Sequence, residues 1–273
     1  MNILVTGSKG YIGKSIINSQ IKGINFIEGH RKNINLFDKN CIKDFIRNNK
    51  IDSIIHCAIE GGSRLKEDDS NVLYNNLLIF ENLCQCKNII YKLINIASGA
   101  EFDRTNEINL KKEEEIFNNV PKDYYGLSKN IISQKAVSIK NFYNLRIFGC
   151  FDENEPETRF IKNCIIKSLK NEPIIIYENK IMDFFYLKDL IPVLENVLFN
   201  QPLHKDINLS YFKKYDLFQI AKKISFINKS KSEIIIQKQN GLNYNGDYHK
   251  FMSLSIKTQG IDEGILTTIS KLQ

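Results

Sequence analysis

A phenol and an ammonium lie four residues apart in Tyr125-Gly-Leu-Ser-Lys129, which puts them on one face of a helix. There the lysine charge lowers the tyrosine pKa, and a tyrosine so tuned can pass a proton to a carbonyl oxygen while hydride arrives at its carbon. Upstream, Ile94-Asn-Ile-Ala-Ser98-Gly ends a strand with a hydroxyl, at the edge of a parallel sheet where ligands bind in such folds. Ser98 can hydrogen-bond the same oxygen. Taken singly, a Tyr–Lys pair of this spacing is most often a solvated helix face, and a serine at a strand end is most often a turn residue. Their joint occurrence, in this order and behind a glycine-rich opening, makes them a candidate proton-transfer set.

That opening is Leu4-Val-Thr-Gly7-Ser-Lys-Gly10-Tyr-Ile-Gly13. An apolar run that breaks into three glycines spaced three apart is how a first strand turns into a phosphate-facing helix. Gly7 allows the tight turn, Gly10 lets backbone approach a pyrophosphate, and Gly13 lets helix and strand pack closely. The helix N-terminus then faces the anion with unpaired N–H groups and the positive end of its dipole, so a dinucleotide is the expected ligand.

The elements that must carry these groups alternate. Ile3–Thr6, Asn25–Glu28, Ser53–Cys57, Lys92–Ala97 and Tyr143–Phe148 read as strands, and Lys14–Gln20, Lys39–Asn48, Asn71–Cys86 and Tyr124–Ile139 as helices. Such alternation predicts an α/β fold, a parallel sheet with helices on both faces. The charged stretch Asp103–Pro121 reads as a loop with a short helix. Beyond residue 150 the pattern predicts an acidic turn (Asp152–Glu157), a helix Thr158–Leu169, a strand Ile174–Tyr177, and a strand-like Asp183–Leu187 leading into a helix Leu190–Phe199. No Gly, Ser or Pro linker separates the halves, which implies interwoven lobes.

With 273 residues the chain can bury a sizeable core, and 42% hydrophobic against 25% charged residues is the balance of an ordinary soluble globule. The net charge of +7 comes from dispersed lysines, with no basic stripe interleaved by aromatics, so no nucleic-acid partner is expected. No apolar run reaches bilayer length and the start lacks signal-peptide features, so no membrane partner and a cytoplasmic location are expected. Six cysteines show no C-x-x-C pair and sit mostly in apolar segments, giving no reason for a metal or disulfide role.

These motifs together resemble the extended short-chain dehydrogenase/reductases of the nucleotide-sugar epimerase/dehydratase/reductase family. Ile55-His-Cys-Ala-Ile-Glu-Gly-Gly62, Asn76 with Asn82, Asp183-Phe-Phe-Tyr-Leu-Lys-Asp189 and Tyr244-Asn-Gly-Asp247 extend the likeness along nearly the whole chain. The resemblance implies an α/β, Rossmann-type doubly wound parallel sheet with a smaller interwoven C-terminal substrate lobe. It places an NADP-binding domain over 1–165 and 182–212 and a substrate-binding lobe over 166–181 and 213–273. It implies catalytic roles for Ser98, Tyr125 and Lys129, the lysine also holding the nicotinamide ribose. Cofactor contacts would come from Gly7, Lys9, Gly10, Tyr11, Ile12, Gly13, Arg31, Cys57, Ala58, Ile59, Asn76, Tyr125, Lys129 and Phe148. Substrate contacts would come from Glu60, Ser63, Arg64, Ser98, Gly99, Ala100, Tyr125, Arg159 and Phe160. A core role is expected for His56, and a homodimer through the Asn71–Cys86 and Tyr124–Ile139 helices is implied.

Relatives that use NAD place an acidic residue after the second strand, whereas here Glu28 is followed by Gly-His-Arg31-Lys32. A guanidinium can pair bidentately with a 2′-phosphate, and Lys9 adds a second cation. Segment 29–38 resembles the matching stretch of the GDP-fucose synthase branch, whose basic residues at the positions of Lys9 and Arg31 meet that phosphate, so NADP(H) is favoured over NAD(H). Dehydratases of the family carry Asp-Glu after the catalytic hydroxyl, but Gly99 and Ala100 follow Ser98. The epimerising branch uses a Cys and a His where this chain has Ala100 and Arg159, and neither makes a ring-carbon acid or base. Reduction alone remains, of a nucleotide-diphosphate-4-keto-(6-deoxy) sugar in surface polysaccharide biosynthesis, in the manner of the dTDP-4-dehydrorhamnose reductase branch. The alternatives are an NAD-dependent 4-epimerase and a non-catalytic dinucleotide-binding protein. Met182 and Gly149 depart from the family's usual Arg and Asn.

Overall fold

The computed structural model describes residues 1–62 and 67–273. In chain order its first elements are β1 (Asn2–Thr6), α1 (Tyr11–Ile17), β2 (Asn25–Gly29), α2 (Lys39–Asn48), β3 (Ser53–His56), α3 (Ser70–Cys84), β4 (Lys92–Ser98), β5 (Ile108–Lys111), α4 (Tyr124–Ser138) and β6 (Phe142–Ile147). There follow β7 (Cys150–Phe151), α5 (Phe160–Leu169), β8 (Ile174–Glu178), β9 (Phe185–Tyr186), α6 (Leu190–Phe199), β10 (Asp206–Asn208), α7 (Leu217–Ile227), β11 (Ile234–Lys238), β12 (Tyr244–Gly246), α8 (His249–Ser253) and α9 (Gly260–Leu272). They divide into two compact units, Met1–Thr105 with Glu113–Arg146 and Val193–Ile207, and Asn106–Lys112 with Ile147–Pro192 and Asn208–Gln273. Residues 106–112, 147–165, 182–192 and 208–212 thus cluster with the second unit, where the sequence division puts them in the first. The apolar side chains of α5 and of 182–186 supply much of the second unit's core.

The first unit is built on a six-stranded sheet of order β10-β6-β4-β3-β1-β2. β1 pairs in parallel with β2 and with β3, and β3 with β4. This is the doubly wound α/β arrangement expected from the alternation of elements. From β1 the chain moves outward to β2, then returns across β1 to β3, so the topological switch lies beside β1, where ligands bind in such sheets. β3 is buried at all four residues and β1 at four of five, as befits strands covered on both faces. One face packs Leu4, Ile54 and Leu93 against Ile42 and Ile46 of α2, Phe80 and Leu83 of α3, and Ile132 and Ala136 of α4. Asp38, Asp69 and Asp123 cap α2, α3 and α4 by accepting from first-turn amides, which fixes where each helix starts.

In the second unit β8 pairs in parallel with β11, β5 with β12, and β7 with β9. Its core gathers Ile161 and Ile165 of α5, Ile174 and Ile176 of β8, Ile220 and Ile224 of α7, and Ile265 and Ile269 of α9. Asp183 is a buried knot here: its carboxylate accepts from Lys214 Nζ, Ser210 Oγ (2.6 Å) and the Gly246 amide (3.0 Å). Asp189 does the same for the start of α9, accepting from the Gln259 and Gly260 amides at 2.9 Å. These two aspartates open and close the family landmark at 183–189.

Several expectations shift. The first helix begins at Tyr11 rather than Lys14, because Gly10 is already its N-cap and accepts from the Lys14 amide. Asp103–Pro121 contains strand β5, whose partner β12 lies more than 130 residues on, a pairing no local pattern reveals. Of Asp183–Leu187 only Phe185–Tyr186 is strand, and a 3-10 turn follows at Leu187–Asp189. Among the described residues no helix is long and apolar enough to cross a membrane, and no group of three or more His, Cys, Asp or Glu side chains can hold a metal.

His56 ends β3 fully buried, with its Nδ1 2.8 Å from Thr6 Oγ1. Burial, and then the Lys129 charge, push its pKa down to about 3. The folded state therefore binds fewer protons at this site than the unfolded chain, so stability is full above pH 6.5 and falls as pH drops toward 3. The span corresponds to roughly 5 kcal/mol. Urea midpoints measured at pH 7 and pH 4.5 are expected to differ less in His56→Asn than in the parent; equal differences would assign the acid sensitivity elsewhere.

Candidate active site

The site is assembled where β1, β3 and β4 end. Thr6 Oγ1 accepts from the Cys57 and Ala58 amides at 3.2 and 3.3 Å. Its own hydrogen then goes to His56 Nδ1, which leaves the ring neutral, as its low pKa requires. This hub brings the loop after β3 against the glycine turn. Gly7 has φ +66°, and a Cβ there would lie 2.7 Å from the Ala58 nitrogen. A Cβ on Gly13 would collide with the Gly7 carbonyl, so both positions exclude any side chain. A Cβ at Gly10 would approach only the Gly7 oxygen, at 3.2 Å, which leaves that face of the loop open.

Two observations test whether a dinucleotide suits this loop. The buried Ser8 hydroxyl has no hydrogen-bond partner among the described residues, and Gly10 supplies no side-chain cap to α1. Both suit a pyrophosphate, which would satisfy the orphaned hydroxyl and the first-turn amides. Tyr11 and Ile12 open α1 beside it, each half-buried.

The two cations read as phosphate ligands already have partners. Lys9 Nζ pairs with Glu28 at 2.5 Å, and Arg31 Nη2 with Glu60 at 2.8 Å. The hydrogen bond from Lys9 holds the Glu28 carboxyl below its ordinary pKa. Both pairs are largely exposed and so contribute little to stability. Glu60, expected to touch substrate, also accepts from Asn75 Nδ2 at 2.7 Å. Asn76, expected to touch cofactor, is 1% exposed. Its Oδ1 accepts from the Glu60 amide (2.8 Å), and its Nδ2 donates to the Glu60 carbonyl (3.0 Å) and Ser128 Oγ (3.1 Å). With its polar atoms so occupied, it clamps the loop that carries Cys57, Ala58 and Ile59 to α4. Ser63 and Arg64 lie outside the described residues.

Ser98 closes β4 and caps a 3-10 turn over Gly99–Phe102. Its Oγ accepts from the Ala100 amide at 3.2 Å, and its own amide donates to Glu101 Oε1 at 2.9 Å, a reciprocal capping box. The hydroxyl is thus oriented from behind. Gly99 and Ala100 are buried in the turn, and Ala100 is 1% exposed. They back Ser98 from within the turn.

On α4, Gly126 nestles against the Ala100 carbonyl, where a Cβ would lie 2.8 Å away. This close approach seats the neighbouring Tyr125 next to the Ser98 turn. The Tyr125 ring also lies against Gly62 (φ +74°), where a Cβ would fall 2.9 Å from Cε2. One turn on, Lys129 is 3% exposed and its Nζ donates to the Ile96 carbonyl of β4 at 2.6 Å. Burial lowers its pKa to about 8, while Glu101 and Cys57 pull the other way. The structure thus brings the ends of β1, β3 and β4 and the start of α4 together in one unit, with Tyr125 half-buried.

Phe148, Arg159 and Phe160 belong to the second unit. Phe148 is buried, its ring edge-on to Tyr244 at 5.4 Å and pressed on Gly246. Arg159 is the exposed N-cap of α5, and Phe160 stacks on Phe184 at 5.9 Å. The departures at 149 and 182 are explained locally: a Cβ on Gly149 would lie 2.8 Å from the Asp183 carbonyl, and Met182 fills the second core.

Thr6, Gly62, Glu101 and Arg146 were not among the expected site residues. The S-x-x-E spacing of Ser98 and Glu101 is a capping-box signal visible in the sequence. Gly62 is marked only as the end of the Ile55–Gly62 landmark, and nothing local marks Arg146.

A model of the NAD dependent epimerase/dehydratase family matches residues 3–209. The chain is 25% identical over 268 residues to GDP-L-colitose synthase of Yersinia pseudotuberculosis, covering 87% of this chain and 85% of that one. Among solved structures it is similar to a GDP-mannoheptose C4 reductase from Campylobacter jejuni with NADP bound (TM-score 0.84, 17% identity, 99% and 98% of the two chains). It is also similar to a UDP-glucose 4-epimerase from Thermotoga maritima with UDP-glucose (TM-score 0.81, 17% identity, 100% and 98% coverage). These two likenesses establish the fold over the full chain. With a glycine turn backed onto the loop after β3, a capped serine ending β4, and a Tyr–Lys turn beside it, the match over three quarters of the length has one reading: the chain belongs to the NAD dependent epimerase/dehydratase family.

Proposed function

We propose that this protein is an NADPH-dependent reductase of the C4 ketone of a nucleotide-diphosphate-4-keto sugar, acting without epimerisation. The observation that carries this reading is the placement of Lys129, its ammonium sunk onto the Ile96 carbonyl one turn below Tyr125 and beside the strand that ends in Ser98. The names of the similar proteins, a GDP-L-colitose synthase and a GDP-mannoheptose C4 reductase with NADP bound, support it.

When bound, the nicotinamide supplies the hydride that reaches the ketone carbon. Tyr125 gives its hydroxyl proton to the oxygen that becomes the alcohol. Ser98, whose Oγ already accepts from the Ala100 amide, donates its own hydrogen to the same oxygen. The Lys129 charge lowers the cost of forming the tyrosinate. Ala100 offers only a buried methyl and Arg159 a permanent cation, so neither serves as the acid or base that moves a proton at a ring carbon. Gly7, Gly10, Gly13 and Ser8 would hold the pyrophosphate, with Lys9 and Arg31 exchanging their exposed carboxylate partners for a 2′-phosphate. Exposed Tyr74 on α3 and Ile131 on α4 provide apolar surface for the homodimer that the resemblance implies.

A second reading, an NAD-dependent 4-epimerase, is favoured by one observation: Glu28, at the end of β2, neutralises Lys9. Tightly held NAD in the purified protein would select it. For the reductase, NADPH consumption with a nucleotide-4-keto-6-deoxy sugar in deuterium oxide is expected to leave C3 and C5 unlabelled, and Tyr125→Phe to lower kcat by about a thousandfold. Deuterium at either carbon, or a Phe variant of parental rate, sinks the proposal. Lys9→Ala and Arg31→Ala should each weaken NADPH binding about tenfold with NADH binding nearly unchanged; equal losses for both cofactors would place the two side chains away from the phosphate. Since Lys129 must be charged and its pKa lies at about 8, turnover is expected to fall as pH rises through that value, and a profile flat from pH 7 to 10 would remove the lysine from the mechanism.

A further inference from the structure

Beneath the candidate site lies a buried chain of polar groups that the proposed reaction does not use. Glu101 is fully buried, and its two oxygens point to different elements: Oε1 accepts from the Ser98 amide at 2.9 Å and Oε2 from Arg146 Nε on β6 at 2.7 Å. Its carbonyl accepts from Asn130 Nδ2 of α4 at 2.9 Å. Arg146 is fully buried too, lies over the Phe102 ring at 5.1 Å, and meets Asp206 of β10 at 3.0 Å. Asp206 is held by Asn144 Nδ2 at 2.9 Å, and Asn144 in turn accepts from Asn95 of β4 at 2.6 Å.

A buried acid–base chain of this kind is costly to desolvate and is weak evidence of a stabilising purpose. Its connections indicate another. One residue is bonded to the amide of the candidate hydroxyl, to the neighbouring strand, and to the helix that carries Tyr125 and Lys129. We propose that Glu101, anchored by Arg146, is a positioning residue for the reduction: it sets the orientation of Ser98 through the backbone and ties that turn to the helix that carries Tyr125 and Lys129. The proposal rests on the reductase reading above.

The groups that act on the Lys129 ammonium are Glu101 from the turn and His56 and Cys57 from the end of β3. His56 and Cys57 are both held neutral by burial, the first well below its ordinary pKa and the second pushed up to about 12. Arg146 and Asp206 face Glu101 in turn; burial raises the Glu101 carboxyl above its usual range while Arg146 draws it back. Glu101, ahead of Cys57, opposes the lowering of the Lys129 pKa by burial.

Glu101→Gln keeps the shape and an oxygen for the Ser98 amide but removes the charge. It is expected to lower kcat about tenfold with KM within about twofold of the parent, and to move the alkaline limb of the kcat profile down by about one pH unit. Lysine labelled with 13C at Cε, with the Lys129 signal assigned by Lys129→Arg, reads the same shift in the full-length protein without any turnover. Parental kcat, limb and lysine midpoint in a variant of parental melting temperature would overturn the proposal. Should the Gln variant not fold, Glu101→Asp preserves the charge while shortening the reach to Ser98. It is then expected to lose kcat with the limb unmoved, and full kcat in that variant overturns the positioning role. If the parent reduces no nucleotide-4-keto sugar, the reductase reading fails by itself, and the lysine midpoint still decides whether Glu101 controls the ammonium.

Discussion

Backbone meets backbone where the first turn touches the loop after β3. A side chain at position 7 would strike the Ala58 nitrogen and one at position 13 the Gly7 carbonyl, so the chain can close here only with hydrogen at both places. Thr6 fastens the contact from inside the sheet, taking the Cys57 and Ala58 amides on its hydroxyl. Everything at this edge is referred to that approach: the open side of Gly10, the orphaned Ser8 hydroxyl, and the Asn76 clamp that carries the loop on to α4.

A second constraint is electrostatic. The first unit buries Lys129, Glu101 and Arg146 almost completely, with Asp206 close behind. Unpaired, each would cost several kcal/mol; interleaved, they partly offset one another. The arrangement holds a cation against the Ile96 carbonyl one turn from Tyr125, among groups fixed by their own hydrogen bonds. Low pKa values at His56 and Lys129 belong to this environment, since both are lowered chiefly by removal from water.

Much of this was legible from residue types and spacing. The five strands and the helices at 39–48, 71–86 and 124–139 were readable because parallel strands are continuously apolar and their helices periodic. The glycine triplet and the Tyr–Lys turn carry their geometry in their spacing. What escaped notice depends on partners distant in sequence. β5 is a strand only because residues near 245 come to it, and Arg146 looks like any cation on a strand until Glu101 and Asp206 are set beside it. Side-chain polarity likewise says nothing about which polar atoms of Asn76 and Glu60 are already satisfied within the chain. Gly149 and Met182, departures from the family pattern, became intelligible only through the second unit's packing.

The way the two units share the chain has a consequence for biogenesis. The first unit takes its last sheet strand from residues 206–208, and the second draws on three separate stretches, 106–112, 147–192 and 208–273. A ribosome therefore releases β1 through β6 long before the edge beside β6 can be covered, and β5 emerges well over a hundred residues ahead of its partner β12. During that interval a nascent chain exposes unpaired strand edges, the state most prone to mispairing. Neither unit can be excised as one continuous fragment.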